Sequence, residues 1–293
     1  MNAIHELDAR QLLQRVAEQI PPGLRSNVVV VGSIATAWAF RDVSGTSAVA
    51  TKDIDLLLRP AIEAVTTAQT LGHDLLEEGW VPRYPSGALP GTPDTPDEQL
   101  PALRLSPPDE TDGWFVELLG EPLRDQTDRK HWRRFHTGLG DFGLPSFRYM
   151  PVAIHGAQPN EFGLFVARPS SMALAHLLEH AEPDRTPISN LPGNPPRFTK
   201  DVGRAIALWW LAREQSSEAA EQWAEEWRDC LATLYPSNNS NMRSAARIGL
   251  RSVADYLSVA HAIARSGVLA PHGTTLEAFR RAHLSLLDLI EGS

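Results

Sequence analysis

The first half of the chain alternates between short apolar runs and apolar residues at helical spacing. Four consecutive valines end at Gly32-Ser33, a pattern that predicts a buried strand, a tight turn and then a helix. A second apolar run, 53–58, contains two aspartates and predicts another strand. The remaining patterns predict helices over 4–20 and 61–78 and strands over 103–105, 114–119, 148–154 and 162–166. Strands that alternate with helices indicate an N-terminal α/β half.

From residue 168 onward the apolar positions recur at helical spacing only. They predict helices over 172–180, 200–214, 218–234, 240–266 and 274–290, with breaks at proline, serine and glycine. Three stretches fit neither pattern: we expect an irregular loop at 82–101, a charged and mostly solvated segment at 121–141, and a linker at 182–196. The chain is therefore predicted to be α+β, with a sheet-containing domain over 1–167 and a helical domain over 168–293.

Composition narrows the classes of protein to which the chain can belong. Its 293 residues are 42% hydrophobic and 22% charged, as in ordinary globular proteins, and its net charge of −9 argues against a bulk nucleic-acid binder. One cysteine, Cys230, rules out an internal disulfide and a cysteine-based zinc site. Because no apolar run reaches about 18 residues and no secretory signal is visible, we expect a cytoplasmic protein without membrane spans.

Two carboxylates on the second strand are the first candidate for chemistry. Asp53 and Asp55 are two positions apart, so on a strand their side chains project from the same face. Two anions held that close repel each other unless a cation lies between them. The alternative is a solvated pair balanced by Lys52 and Arg59. A Gly-Ser turn that precedes such a pair indicates a site for phosphate and a metal ion.

Glu117 is the candidate for a third carboxylate. It is the acidic residue within an otherwise apolar predicted strand, 115–119, and an isolated carboxylate there needs a partner. A metal site shared with the two aspartates would supply one. The alternative is a carboxylate on the wet face of an edge strand.

The Gly32-Ser33 turn, the following helix and the Asp53-Ile54-Asp55 strand resemble the signature of the DNA polymerase β-like nucleotidyltransferase superfamily. The resemblance implies a mixed sheet with flanking helices and an enzyme that transfers a nucleotidyl group from an NTP to an acceptor hydroxyl. It implies that Asp53, Asp55 and Glu117 are catalytic and bind Mg²⁺ or Mn²⁺. It also implies that Gly32 and Ser33 hold the β- and γ-phosphates. Nineteen residues separate Ser33 from Asp53, so we expect the segment 41–50 to loop out.

A second stretch is similar to the AbiEii-type, abortive-infection toxin branch of that superfamily. It comprises 166–176, then Arg185, then Arg197-Phe198-Thr199-Lys200-Asp201-Val202. The resemblance implies nucleotide-binding roles for Lys200, Asp201, Arg197 and His176, where His176 stands in place of a lysine of the branch. Each has a plainer explanation: a first helical turn for Lys200-Asp201, a half-buried helix histidine, and solvated loop charges for Arg185 and Arg197.

The sequence therefore predicts an NTP-dependent and Mg²⁺-dependent nucleotidyltransferase with toxin-like character. Its acceptor could be tRNA, another macromolecule, a protein or a small molecule, and an antitoxin protein is a possible partner under the resemblance. The alternative hypothesis is a catalytically inactive nucleotidyltransferase-fold protein that binds a nucleotide or a partner. His176 and the long segment between Ser33 and Asp53 motivate that alternative.

Overall fold

The computed structural model describes residues 7–44, 48–49, 51–84, 87–109, 113–179, 187–188 and 194–292. Its first half begins with β1 (Leu7–Asp8), α1 (Ala9–Gln19), β2 (Val28–Val31), α2 (Gly32–Ala39), α3 (Arg41–Ser44), β3 (Ala48–Val49), β4 (Asp53–Leu58) and α4 (Ala64–Glu77). It continues with β5 (Val81–Pro82), β6 (Arg104–Ser106), β7 (Phe115–Gly120), β8 (Lys130–Thr137), β9 (Gly140–Phe147), α5 (Met150–Ala153), β10 (Gln158–Pro159) and β11 (Phe165–Val166).

The second half is helical throughout the described residues. It contains α6 (Pro169–Glu179), α7 (Phe198–Gln215), α8 (Ala219–Leu234), α9 (Asn239–Ser252), α10 (Leu257–Arg265) and α11 (Leu276–Gly292). None of the helices in the described part of the chain has the length and apolar character needed to cross a membrane. The predicted α+β class, with a mixed sheet and a C-terminal helical region, is confirmed.

The central sheet has seven strands in the order β10-β11-β2-β4-β7-β6-β5. Strand β2 is antiparallel to β4, β4 is parallel to β7, and β6 is antiparallel to β7. This register places four residues in one row across the sheet: Val31, Asp55, Glu117 and Arg104. The carboxylates predicted from separate parts of the sequence are therefore neighbours on adjacent strands.

One continuous apolar cluster joins the sheet to the helices of both halves. All four valines of β2 are buried, because helices and neighbouring strands cover them, and the same cluster includes Met172 of α6 and Trp209 of α7. Burial of apolar side chains contributes about 25 cal/mol per Å² of surface removed from water. Helix α6 packs against α2 and α7, and these contacts fix the position of the residues that α6 and α7 carry.

Three predictions of local structure are corrected by the structure. Residues of the segment 121–141 are mostly exposed or half-buried, as predicted, but the segment also contains β8, which was not predicted and which pairs with the buried strand β9 in an antiparallel hairpin. The strand predicted over 148–154 is the short helix α5, and the helix predicted over 240–266 is two helices, α9 and α10, separated by the 3₁₀ turn 254–256.

The segment 41–50 lies outside the seven-stranded sheet where it is described. It forms the helix α3, and its strand β3 pairs with β1 in a separate two-stranded sheet. Most of the predicted linker 182–196, including Arg185, lies outside the described residues.

Candidate functional site

A cavity of about 480 Å³ lies between the sheet and helices α6 and α7. Residues from both halves of the chain line it, and six of them are predicted site residues: Gly32, Asp55, His176, Arg197, Lys200 and Asp201. A volume of this size falls in the range of small-molecule pockets. The structure thus brings together residues that are up to 169 positions apart in the sequence (201 − 32).

Gly32 lies directly against Asp55. Its φ of 73° is in the left-handed region, and a Cβ placed on it would lie 2.7 Å from Asp55 Oδ2. Only glycine fits such a position without strain. Helix α2 begins at this residue and its N-cap, Val31, provides no side-chain hydrogen bond. Uncapped backbone amides at a helix N-terminus favour an anion such as phosphate.

The acidic row, which consists of the carboxylates of Asp53, Asp55 and Glu117, holds like charges close together. The pKa of Asp55 is raised to about 7, first by burial and then by the charges of Asp53 and Glu117, whereas Arg204 and Arg104 oppose the rise. Asp53 precedes Asp55 by two residues on β4 and accepts a hydrogen bond from the Thr51 hydroxyl. Among the described residues, none donates a hydrogen bond to the Asp55 carboxylate. A bound cation would relieve the repulsion that these anions exert on Asp55.

Glu117 is paired with Asp55 across adjacent strands, and its carboxylate forms an ion pair with Arg104. Arg104 Nε donates to Glu117 Oε2 at 2.6 Å, and the exposed fraction of the Glu117 side chain is 16%. Glu117 does not line the cavity. The predicted third carboxylate is therefore next to the predicted metal ligands, with a guanidinium as its present counter-ion.

The opposite wall of the cavity is basic. Arg197, Lys200 and Arg204 lie three to four residues apart at the start of α7, and all three line the cavity. The pKa of Lys200 is lowered by Arg204, then by burial and by Arg197, while Asp201 and Asp53 oppose the shift. Lys200 and Arg204 form no ion pair with any carboxylate of the described residues. Like charges held together in a half-buried cavity favour an anionic ligand.

Sequence reasoning missed Arg204. It follows Lys200 by four residues, and this spacing on a predicted helix was a sufficient signal that both side chains share one face. It also lines a smaller adjoining cavity of about 20 Å³, together with Ser33, Gly32 and His176. Ser33 is therefore adjacent to the main cavity, not within its lining.

Strand β8 and helix α6 complete the cavity wall. Arg129 and Lys130 line it, and Arg129 Nη1 lies 3.2 Å from Glu179 Oε1 of α6. Burial lowers the pKa of Lys130, and its Nζ lies 3.9 Å from the centre of the Trp132 ring. These cations were missed because the segment that contains them was predicted to be solvated.

Asp201 and His176, which were predicted to bind the nucleotide, lie on the two helices that border the cavity. Asp201 is in the first turn of α7 with an exposed fraction of 6%, and His176 is half-buried on α6. Both line the main cavity.

The donors available for a divalent cation are the carboxylates of Asp53 and Asp55. In the described ranges, no group of three or more His, Cys, Asp or Glu side chains is arranged to hold a metal ion. Magnesium, however, is commonly bound through one or two carboxylates, with water and substrate phosphates supplying its other ligands. Two half-buried aspartates, of which Asp53 raises the pKa of Asp55, lie beside a basic cavity and fit that mode of binding.

Comparison with known proteins gives no relative: no family model, no curated protein and no solved structure matches the chain. The resemblance to nucleotidyltransferases therefore rests on the residues quoted from the sequence, and it stays a prediction.

Proposed function

We propose that the chain is a metal-dependent nucleotidyltransferase, which transfers a nucleotidyl group from an NTP to an acceptor hydroxyl and releases pyrophosphate. One observation carries this proposal. Gly32 at the start of α2 and Asp55 of β4 line the same cavity as Lys200 and Arg204 of α7, so that an acidic side and a basic side border one cavity.

The basic side of the cavity would bind the triphosphate. Lys200 and Arg204, with Arg197 at the helix start, would neutralise phosphate oxygens, and guanidinium and ammonium groups are suited to that role. Gly32 lines the cavity at the start of α2, where the uncapped backbone amides and the Ser33 hydroxyl would donate to phosphate oxygens. His176 and Asp201 would contact the nucleotide from α6 and α7.

The acidic side of the cavity would bind the divalent cation. Asp53 and Asp55 would hold Mg²⁺ or Mn²⁺, with Glu117 as the neighbouring third carboxylate. A bound divalent cation supplies charge neutralisation at the transferred phosphoryl group. The acceptor, whether tRNA, another macromolecule or a small molecule, would present its hydroxyl at the open side of the cavity.

A transfer assay tests the proposal. The protein is incubated with Mg²⁺ and each NTP labelled at the α-phosphate, with and without total RNA. We expect label to be incorporated by the wild type and lost in Asp55→Asn. The matched control is Asp255→Asn, which removes an exposed carboxylate from the 3₁₀ turn 254–256. Equal incorporation by wild type and Asp55→Asn would refute the proposal.

A second candidate function is nucleotide binding without catalysis. The bond between Arg104 and Glu117 favours it, because a carboxylate paired with a guanidinium is not a free metal ligand. Calorimetry separates the two functions. NTP binding that is unchanged by Mg²⁺ supports the non-catalytic module, whereas strong dependence on Mg²⁺ supports the transferase.

A further inference from the structure

The row of paired residues across the sheet that includes Asp55 and Glu117 also includes a positively charged side chain, that of Arg104. Asp55 and Glu117 are directly opposite each other on the parallel strands β4 and β7, and Arg104 of β6 is the next residue along that row. Side chains at paired positions on one face are about 5 Å apart. Strand β7, which carries Glu117, therefore lies between the strands that carry Asp55 and Arg104.

The position of Arg104 is supported independently of Glu117. Its Cζ lies 5.5 Å from the centre of the Phe115 ring, and its backbone carbonyl accepts a hydrogen bond of 2.8 Å from the Arg83 amide. The side chain is 31% exposed, so it borders solvent and has room to move away from Glu117. A charge-assisted bond at 2.6 Å on a partly exposed side chain is strong and still breakable.

We propose that Arg104 is an internal counter-ion that competes with a divalent cation for Glu117 and thereby sets the metal affinity of the acidic row. With the pair closed, only Asp53 and Asp55 are available to the metal. With the pair open, Glu117 turns its carboxylate toward Asp55 and adds a third ligand. The inference rests on the proposed metal site, and it concerns how that site is regulated.

Direct measurement of Mn²⁺ binding tests this competition without any assay of activity. The free Mn²⁺ signal in electron paramagnetic resonance is followed during titration of the full-length protein. In Arg104→Gln we expect the Kd for Mn²⁺ to fall about tenfold, the size expected when a charged hydrogen bond no longer has to be broken. Arg104→Met keeps an unbranched stem over Phe115 and provides the same test if Arg104→Gln does not fold.

Two controls distinguish direct competition from a general change in charge. Arg83 also lies over the Phe115 ring, at 5.1 Å, whereas the ion pair of Glu117 is with Arg104, so Arg83→Gln should change the Kd by less than about twofold. In a Glu117→Gln background, removal of Arg104 should no longer tighten Mn²⁺ binding, because the group for which they compete is absent.

The Mn²⁺ titrations distinguish a wrong competition between Arg104 and the cation from a wrong metal site. If the wild type binds Mn²⁺ in a manner that depends on Asp55, but Arg104→Gln binds it equally or more weakly, the competition is refuted and the metal site stands. The same holds if Arg83→Gln tightens binding as much as Arg104→Gln does. If neither the wild type nor Arg104→Gln binds Mn²⁺, the proposed metal site is refuted and the inference with it.

Discussion

Gly32 and Asp55 are in such close contact that residue 32 has no room for a side chain. A Cβ on residue 32 would lie 2.7 Å from Asp55 Oδ2, and the φ of 73° is itself unfavourable for other residues. The turn that ends β2 and starts α2 is thus built directly against a carboxylate whose pKa is raised to about 7. This contact links the predicted phosphate-binding turn to the predicted metal ligand.

Gly32→Ala should therefore damage both the fold and the site. We expect a loss of about 1–3 kcal/mol in the free energy of unfolding, measured in urea, together with loss of NTP binding. Two controls separate the causes. Gly273 has a φ of 56° with open space around it, so Gly273→Ala should cost about 1 kcal/mol from the backbone alone. Gly23→Ala, with neither constraint, should have little effect, and an equally mild Gly32→Ala would contradict the account.

The raised pKa of Asp55 predicts a specific pH dependence of stability. The carboxyl has a pKa of about 7 in the folded protein, against an ordinary value of 3.8, so folding favours its protonated form. Its contribution is full below about pH 4 and is lost as pH rises through about 7. Asp55→Asn resembles the protonated form at every pH. We therefore expect wild type and Asp55→Asn to have similar free energies of unfolding at about pH 4. As the pH rises toward about 7, the free energy of unfolding of the wild type should fall relative to that of Asp55→Asn.

Urea unfolding from about pH 4 to about pH 8, followed by tryptophan fluorescence, measures this difference. Asp255→Asn serves as the control, since it removes an exposed carboxylate and should follow the wild type at every pH. A constant difference between wild type and Asp55→Asn over this range would show that the pKa of Asp55 is ordinary.

Removal of Arg204 should weaken binding without weakening the fold. Lys200 and Arg204 are like charges four residues apart on α7, an arrangement that costs about 0.2–0.5 kcal/mol in a helix. Arg204→Gln should therefore leave the free energy of unfolding unchanged or slightly raised, while the Kd for an NTP rises about tenfold. Arg265→Gln, which removes an exposed arginine at the end of α10, is the control. Unchanged NTP affinity in Arg204→Gln would place the triphosphate elsewhere.

The single cysteine predicts a chemical probe of folding. Burial raises the pKa of the Cys230 thiol to about 12, and the charge of Asp229 adds to the shift, so almost no thiolate is present at neutral pH. We expect the native protein to react with Ellman's reagent at about pH 8 at least about 100-fold more slowly than the unfolded protein. Rapid native labelling would show that the α8 packing around this residue opens readily.

Sequence reasoning located the part of the site that depends on local pattern. The bounds predicted for β4, 53–58, agree with the structure, because two carboxylates within an apolar run can only be placed as a strand with one polar face. The glycine turn, and Lys200 at the start of a helix, were likewise signalled by residues within a few positions. These elements needed no knowledge of distant contacts.

The hairpin of β8 and β9 could not be predicted in the same way. Its charges looked solvated, but Arg133 donates to the carbonyls of Ala61 and Glu121, the first 72 residues away in sequence, and Arg134 donates to Asp97. Partners this far apart in the sequence come together only in the folded chain. For the same reason Arg104 was not identified as the partner of Glu117, because that pairing depends on the register of β6 against β7.

The most direct test of the central claim is a crystal structure of the protein with Mn²⁺ and an NTP analogue that cannot be cleaved, recorded with anomalous data at the manganese edge. We expect the triphosphate between Gly32 and the Lys200 and Arg204 side chains, with an anomalous peak at the carboxylates of Asp53 and Asp55. A nucleotide bound outside this cavity, or manganese bound away from both aspartates, would contradict it.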